Sequence, residues 1–377
     1  MFVRFVVFGC FTFLLIACQT ETAVSPTTRV LAEGLLNPIG LAQLPDGGLL
    51  VAEMGTGAGD NSAGVTLITA EGQIGRLVSG IPSTRDSGDL AGAPLVGVSP
   101  DGRTLYIGHF NANRLWTLPL NDDPLALPDE PLATENLDSA MFPQVIDKLI
   151  NPFDIAFDDA GLPIVTDASM NGVARPNAAG KTHFIHIFDR LPDPTNDART
   201  IDAVPTGFAR LGDEYLVTLT GGCPFPVGGG QLVAIGQTQR PRQVLTGLNM
   251  PIDVAVDGNG RIWVLEFARF REGGDCFAGG DYVVGSGRLS RVDADGQLQP
   301  AITGLNTPGA FLLTDEDTIF ISEVFPGRVL AVQLPQDEAS WPISVADIQP
   351  DDQTLTVNAI PIATFTPRKP VATRESE

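Results

Sequence analysis

Short apolar runs, each bounded by turn residues, recur along the whole chain. The phrase NPIGLAQLPDGGLLVAE (37–53) holds two such runs joined at Pro45-Asp46-Gly47-Gly48, and it returns as NPFDIAFDDAGLPIVTD (151–167) and MPIDVAVDGNGRIWVLE (250–266). Alternating side chains predict a strand in each run, and the Asp- and Gly-rich turn between them predicts a hairpin. Aligned on the second run, six copies appear: LLVAE (49–53), LYIGH (105–109), PIVTD (163–167), YLVTL (215–219), IWVLE (262–266) and IFISE (319–323), at intervals of 47 to 58 residues. Nowhere does the helical pattern i, i+3, i+4, i+7 persist for three turns.

A Gly-rich loop follows each hairpin and leads to a third run, such as GVTLIT, NRLWTLPL, GQLVAIG or GRLSRVD, and a fourth closes several copies (IGRLVSGI, RQVLTGL, LQPAITGL). One small sheet cannot bury both its faces, but six arranged around an axis can. The predicted fold is therefore all-β, a six-bladed β-propeller with four-stranded blades spanning residues 30–335. The sixth copy ends at GRVLAVQLP (327–335) without its outer strand, and TRVLAEGL (28–35) supplies a matching one. The ring is thus expected to close through its N-terminal strand. TLTVNAIPIATF, within the extension 336–377, competes for the same edge, and the end of that extension is expected to be disordered. Along the first run, Gly40, Leu95, Asp154, Gly207, Asp253 and Ala310 face the crowded centre in this reading. The bulky Leu41, Val96, Ile155, Phe208, Val254 and Phe311 pack blade against blade.

Composition agrees: 41 glycines, 30 prolines and only 18% charged residues suit short strands and tight turns. A net charge of −22 repels phosphate backbones and argues against nucleic acid as a partner. The N-terminus reads as a basic start, an apolar stretch too short for a bilayer span, and Leu15-Ile16-Ala17-Cys18, which looks like a bacterial lipobox. The expectation is a lipoprotein signal peptide (1–17), lipidation of Cys18, and a tether (18–29) that places the protein on the bacterial cell envelope, outside the cytoplasm, with the membrane as a partner through the lipid. Cys10 leaves with the signal. Cys223 and Cys276 remain as an even pair in an oxidising compartment, forming either a disulfide, the favoured reading, or two free thiols.

With the copies in hand, GLLNPIGLAQLPDGGLLVAEMGTG, NPFDIAFDDAGLPIVTDAS, VPTGFARLGDEYLVTLTGGCPFPVGGG and GLNMPIDVAVDGNGRIWVLEFA resemble the exported six-bladed propellers of the scytonemin-cluster type (ScyD/ScyE-like). These in turn look like relatives of NHL-repeat and gluconolactonase-like propellers. The resemblance covers about residues 30–335 and implies fold and export, not catalytic residues. Two positions depart from it: Leu219 stands where an acid is usual, and Cys223 where an aromatic is.

The strand-end residues Glu53, Asp167, Glu266 and Glu323 are expected to gather around a common mouth with His109, and Asp154 and Asp253 to lie nearer the axis. Two roles stay open for them. The acids either accept backbone N–H bonds that lock the ring, or hold Ca²⁺ or another divalent cation, with His109 as a general base. Gluconolactonase-like propellers hold an axial metal with Glu, Asn and Asp, whereas no central Asn stands in register here. The long loops at 54–64, 220–230 and 267–287 offer Phe225, Phe270, Phe277 and Tyr282 as apolar surface and Arg269 and Arg271 as anion handles. Two functions follow: a tethered module binding a small molecule, glycan or protein, or a metal-dependent hydrolase or lyase with its site at the acidic mouth.

Overall fold

Five of the six inner strands begin at an equivalent proline: Pro38, Pro152, Pro205, Pro251 and Pro308. The computed structural model describes residues 28–110, 114–120, 124–134, 149–177, 181–236, 240–277, 280–314 and 318–357. The signal segment, Cys18 and the end of the C-terminal extension lie outside them. Blade 1 comprises Pro38–Gln43, Leu49–Glu53, Asp60–Ile68 and Ile74–Asp86. Blade 2 has Leu95–Val98, Thr104–His109 and Arg114–Pro119, three strands among the described residues. Blade 3 comprises Pro152–Phe157, Pro163–Asp167, Gly172–Pro176 and Thr182–Ile187, and blade 4 Pro205–Leu211, Glu214–Leu219, Gly230–Ile235 and Arg242–Leu248. Blade 5 comprises Pro251–Val256, Ile262–Glu266, Gly287–Val292 and Leu298–Leu305, and blade 6 Pro308–Leu313, Thr318–Glu323 and Arg328–Gln333. The outer strand of blade 6 is Thr28–Glu33, antiparallel to Arg328–Gln333, so the two ends of the ring share one sheet as the repeat pattern predicts. Among the described residues no helix is long and apolar enough to cross a membrane.

Proline suits the first position of a strand because no ladder hydrogen bond is required of it there. The second strands lose the alternation expected of a half-exposed sheet: all five residues of Leu49–Glu53 and of Pro163–Asp167 are buried. Neighbouring blades cover both faces of that strand. Among the described residues the core accordingly has one cluster at each of the six blade-to-blade interfaces, and a seventh, smaller one around Met54, Ala91 and Phe110. The bulky inner-strand series behaves as its spacing predicts. Val96, Phe208, Val254 and Phe311 join four different interface clusters, and Leu41 and Ile155 pack on the other two of the six.

The C-terminal extension does not displace the N-terminal strand. Ile343–Ser344 pairs in parallel with the outer strand of blade 5, and Leu355–Thr356 pairs in parallel with Thr28–Glu33, outside it. Residues 334–357 thus form a strap over the outer edges of blades 5 and 6. Val345 and Val357 plug it into the core, Thr354 donates its hydroxyl to Val30 O at 3.0 Å, and Arg328 donates to Ile348 O at 3.0 Å. On the strap's inner side Arg291 lies against Trp341 (4.8 Å) and Trp263 (5.8 Å) and bonds both oxygens of Glu338, at 2.6 and 2.5 Å.

The strap therefore protects two sheet edges that would otherwise present unpaired backbone groups. Val345→Ala should cost roughly 1–3 kcal/mol in urea unfolding. Truncation after Pro335 should lower amide-exchange protection first in Thr28–Glu33 and Leu298–Leu305, and unchanged protection in both strands would show the strap to be a passenger.

Candidate functional site at the mouth of the ring

The second strand of each blade ends at the mouth face, directly opposite the start of the inner strand. The register pairs Pro38 with Glu53, Pro152 with Asp167, Pro205 with Leu219, Pro251 with Glu266 and Pro308 with Glu323. From there each acid turns back onto the linker that enters its own blade. Glu53 accepts the Leu36 amide at 2.6 Å, Asp167 the Ile150 amide at 2.6 Å, Glu266 the Asn249 amide at 2.8 Å and Glu323 the Asn306 amide at 2.5 Å. Three of the four also bind an arginine: Arg76 on Glu53 (2.8 Å), Arg288 on Glu266 and Arg328 on Glu323 (2.5 Å). All four acids are at most 2% exposed. Burial raises the Asp167 and Glu323 carboxyls above their ordinary values; the amide bonds oppose this at both, and Arg328 opposes it at Glu323.

These clamps hold a strained turn. The residue before the proline has φ of 53° at Asn37, 51° at Val204, 48° at Met250 and 51° at Thr307, a conformation that β-branched residues in particular resist. In all six blades the residue after the strand end donates its amide to this turn: Met54 to Asn37, Phe110 to Gly92, Ala168 to Asn151, Thr220 to Val204, Phe267 to Met250 and Val324 to Thr307. In blade 4, where Leu219 replaces the acid, the Asn171 side-chain Oδ1 reaches over from blade 3 to accept the Val204 amide at 2.8 Å.

The expected ring of metal ligands is therefore not assembled. Glu53, Asp167, Glu266 and Glu323 each serve their own linker, and among the described residues no group of three or more His, Cys, Asp or Glu side chains comes together. His109, expected in the mouth as a base, is 4% exposed and packs on Trp116 at 5.7 Å between ring centroids. Its Nε2 lies 2.9 Å from Pro82 O, and burial lowers its pKa against that hydrogen bond. It packs inside its blade and does not line the mouth.

The mouth is real, but it is lined by the neighbours of the predicted residues. Side chains alternate along a strand, so a shift of one position exchanges the two faces. The residue after each strand end (Met54, Phe110, Ala168, Thr220, Phe267 and Val324) lines a cavity of about 510 Å³. Phe225, Tyr282 and Phe325 complete its aromatic wall. Phe267 and Tyr282 meet edge to face at 5.1 Å, and Phe270, 4% exposed, supports Phe225 and Tyr282 from behind, at 5.3 Å from each. Of the other loop residues proposed from sequence, Phe277 is 65% exposed and does not line the cavity. Arg269 and Arg271 do not line the cavity either, and Arg271 reaches only Asp281, at 3.9 Å.

Cys223 and Cys276 form the disulfide, with Cα atoms 6.0 Å apart, tying the blade 4 loop to the blade 5 loop. The blade 5 loop then crosses toward blade 1, where the outer strand continues into a hairpin with Asp89–Ala91. A Cβ at Gly88, the tip of that hairpin, would lie 2.4 Å from Phe277 O, so only glycine permits the approach. Blades 1, 4 and 5 together roof the mouth.

Below the mouth, the axis itself holds a smaller cavity of about 150 Å³, lined by the inner strands, with Asp154 and Asp253 as its charged groups. Asp154 accepts the Phe208 amide at 2.7 Å and Asp253 the Phe311 amide at 2.9 Å, so each ties its blade to the next. Enclosure raises both carboxyls: Asp154 well above its ordinary value, with the Asp253 charge adding to it, and Asp253 to about 7.

No family model and no curated protein matches the chain. Solved structures do. A gluconolactonase from Xanthomonas campestris is similar over 82% of this chain and 90% of its own, with 14% identity and a TM-score of 0.56. A protein of unknown function from Bacteroides thetaiotaomicron is similar over 82% and 76%, with 10% identity and a TM-score of 0.53. The PQQ-bound aldose sugar dehydrogenase of Streptomyces coelicolor is similar over 82% and 98%, with 17% identity and a TM-score of 0.50. At these identities the likeness establishes the propeller fold.

Two outcomes follow. Glu53→Ala leaves Arg76 buried without its partner and should cost roughly 3–5 kcal/mol in urea denaturation, where a loss below about 1 kcal/mol would make the clamp dispensable. Asp253 has a folded pKa raised above its unfolded value, so the native state holds a proton that the unfolded chain releases. Its contribution is complete below about pH 4 and is lost as pH rises through about 7. The melting temperature should fall between pH 5 and 8, and Asp253→Asn should flatten that decline; equal slopes for both proteins would exclude it.

Proposed function

We propose that the protein is an exported ligand-binding propeller, held on the bacterial cell envelope through Cys18, that takes a small molecule with a flat apolar face into the roofed mouth. The carrying observation is the mouth itself, with six blades contributing one side chain each, an interlocked aromatic wall and a cover pinned by a disulfide. Pockets with apolar walls and a few placed polar groups are the usual form of small-molecule sites. The disulfide supports export, as does the resemblance to the scytonemin-cluster propellers. The strand Thr28–Glu33 supports a tethered arrangement: Thr28 pairs with Val332 and Glu33 with Arg328, so the chain enters the ring on the face opposite the mouth. A tether leaving there directs the mouth away from the membrane.

The alternative, a metal-dependent hydrolase or lyase with Asp154, Asp253 and Glu53 as ligands and His109 as base, finds its residues engaged elsewhere: Asp154 with Phe208, Asp253 with Phe311, Glu53 with Leu36, Thr66 and Arg76, and His109 with Pro82. The gluconolactonase and the sugar dehydrogenase suggest sugars by their names, but a sugar calls for many hydrogen-bonding groups, and the aromatic wall here supports a less polar guest.

Ser169 lines the cavity and is exposed to it, so Ser169→Trp fills the space without disturbing the core. Saturation-transfer NMR with indole should show binding to the wild type and at least about a tenfold loss in Ser169→Trp at unchanged melting temperature. Equal transfer in both proteins would place the binding elsewhere.

A further inference from the structure

Among the polar groups at the mouth, two are unspent. Asp89, on the blade 1 hairpin, and Tyr282, on the blade 5 loop, border the same cavity. Neither the Asp89 carboxylate nor the Tyr282 hydroxyl has a hydrogen-bond partner among the described residues. Other carboxylates in the roof and its surroundings are matched: Asp202 with Arg190, Asp193 with Arg199, Asp281 with Arg271. Arg85, the one cation of the lining, donates to Gly88 O at 2.8 Å and packs over Gly57, while Asp86 and Asp89 both carry negative charge on the same hairpin.

Although its surface is open to the cavity, Asp89 is crowded by protein. That desolvation, with the Asp86 charge adding and Arg85 opposing, raises its carboxyl to about 6. Burial and then the Asp89 charge push the Tyr282 phenol upward, which places the two groups within each other's field. An exposed carboxylate on a cavity wall with no cation of its own attracts a bound cation.

We infer that the guest of the mouth is an organic cation, an amine or quaternary ammonium group on a flat apolar body, with Asp89 as its counter-ion. This rests on the reading of the mouth as the binding site and specifies its chemistry. Aromatic ring faces attract cations, and Phe225, Phe267, Tyr282 and Phe325 supply such faces beside the acid. An anion meets the carboxylates of Asp86, Asp89 and Asp202 and one committed arginine; a neutral guest leaves Asp89 unpaired. The −22 charge of the whole chain steers cations toward the protein in the same sense.

Calorimetry on the full chain with phenyltrimethylammonium and its neutral isostere tert-butylbenzene separates the possibilities. The cation should bind about tenfold more tightly or better, Ser169→Trp should abolish the binding of both probes, and Asp89→Asn should remove the preference while Asp89→Glu retains it. Between pH 8 and 5 the cation's affinity should fall as Asp89 takes up a proton; the other charged or titratable groups on the cavity are Asp86 and Arg85 on its own hairpin, Tyr282 on the blade 5 loop, and Asp202, which is paired with Arg190. Equal affinity for the two probes overturns the cation while leaving the mouth a binding site. A preference that survives Asp89→Asn overturns the counter-ion. Failure of both probes, or binding that ignores Ser169→Trp, removes the mouth as the site and the inference with it.

Discussion

The structure depends on a small constraint repeated around the ring: the chain must reverse sharply between one blade's outer strand and the next blade's inner strand. In four of the six blades that reversal puts a side-chain-bearing residue at positive φ, each costing on the order of 1–3 kcal/mol. A buried acid at the end of the following hairpin holds the amide just before it, and the strand-end amide holds its carbonyl. The acid itself is tolerable only because amides, and in three blades an arginine, replace the water it has lost. Blade 4 shows that the demand belongs to the turn rather than to the acid. With Leu219 in place, an asparagine from the neighbouring blade accepts the equivalent region's amide instead.

Because the acid clamps sit at the mouth end of the second strands, they also fix what the mouth can contain. An acid committed to the linker cannot point into the opening, and the next residue does so in its place. Four of the residues delivered this way are Met54, Phe110, Phe267 and Val324, with Ala168 and Thr220 leaving room on the side of blades 3 and 4. The mouth consequently has an apolar wall in a protein that is otherwise strongly acidic, and most of the charge it carries (Arg85, Asp86 and Asp89) comes from the blade 1 hairpin, an addition to the repeat rather than a part of it.

Most of the fold was legible in the sequence because a propeller writes the same physical problem six times. Repeat spacing, hairpin turns and the displaced TRVLAE segment were enough to predict the blade number and the closing strand, and two cysteines in loops of successive copies identified the bridge. The site was legible to within one residue. Glu53, Asp167, Glu266 and Glu323 stand out as charges in apolar runs, which draws attention to them as chemistry, yet a buried charge is as well explained by an amide it must hold. Their neighbours are ordinary apolar residues and carry no such flag; only strand alternation, counted forward by one from the acid, distinguishes them. Asp89 and the roof over the mouth depend on contacts between blades 1 and 5 nearly 200 residues apart, which no local pattern encodes. The strap was half legible: its strand was visible, but its place outside the N-terminal strand was not.

The closing strand has one further consequence. Thr28–Glu33 lies between two other strands, hydrogen-bonded to Arg328–Gln333 on one side and to Leu355–Thr356 on the other. Any mechanical pull on the segment preceding Thr28 acts along the length of that strand, so its bonds to both neighbours share the load in shear instead of peeling apart one by one. The seam where the circle of blades is joined is thereby placed where traction from outside does it least harm.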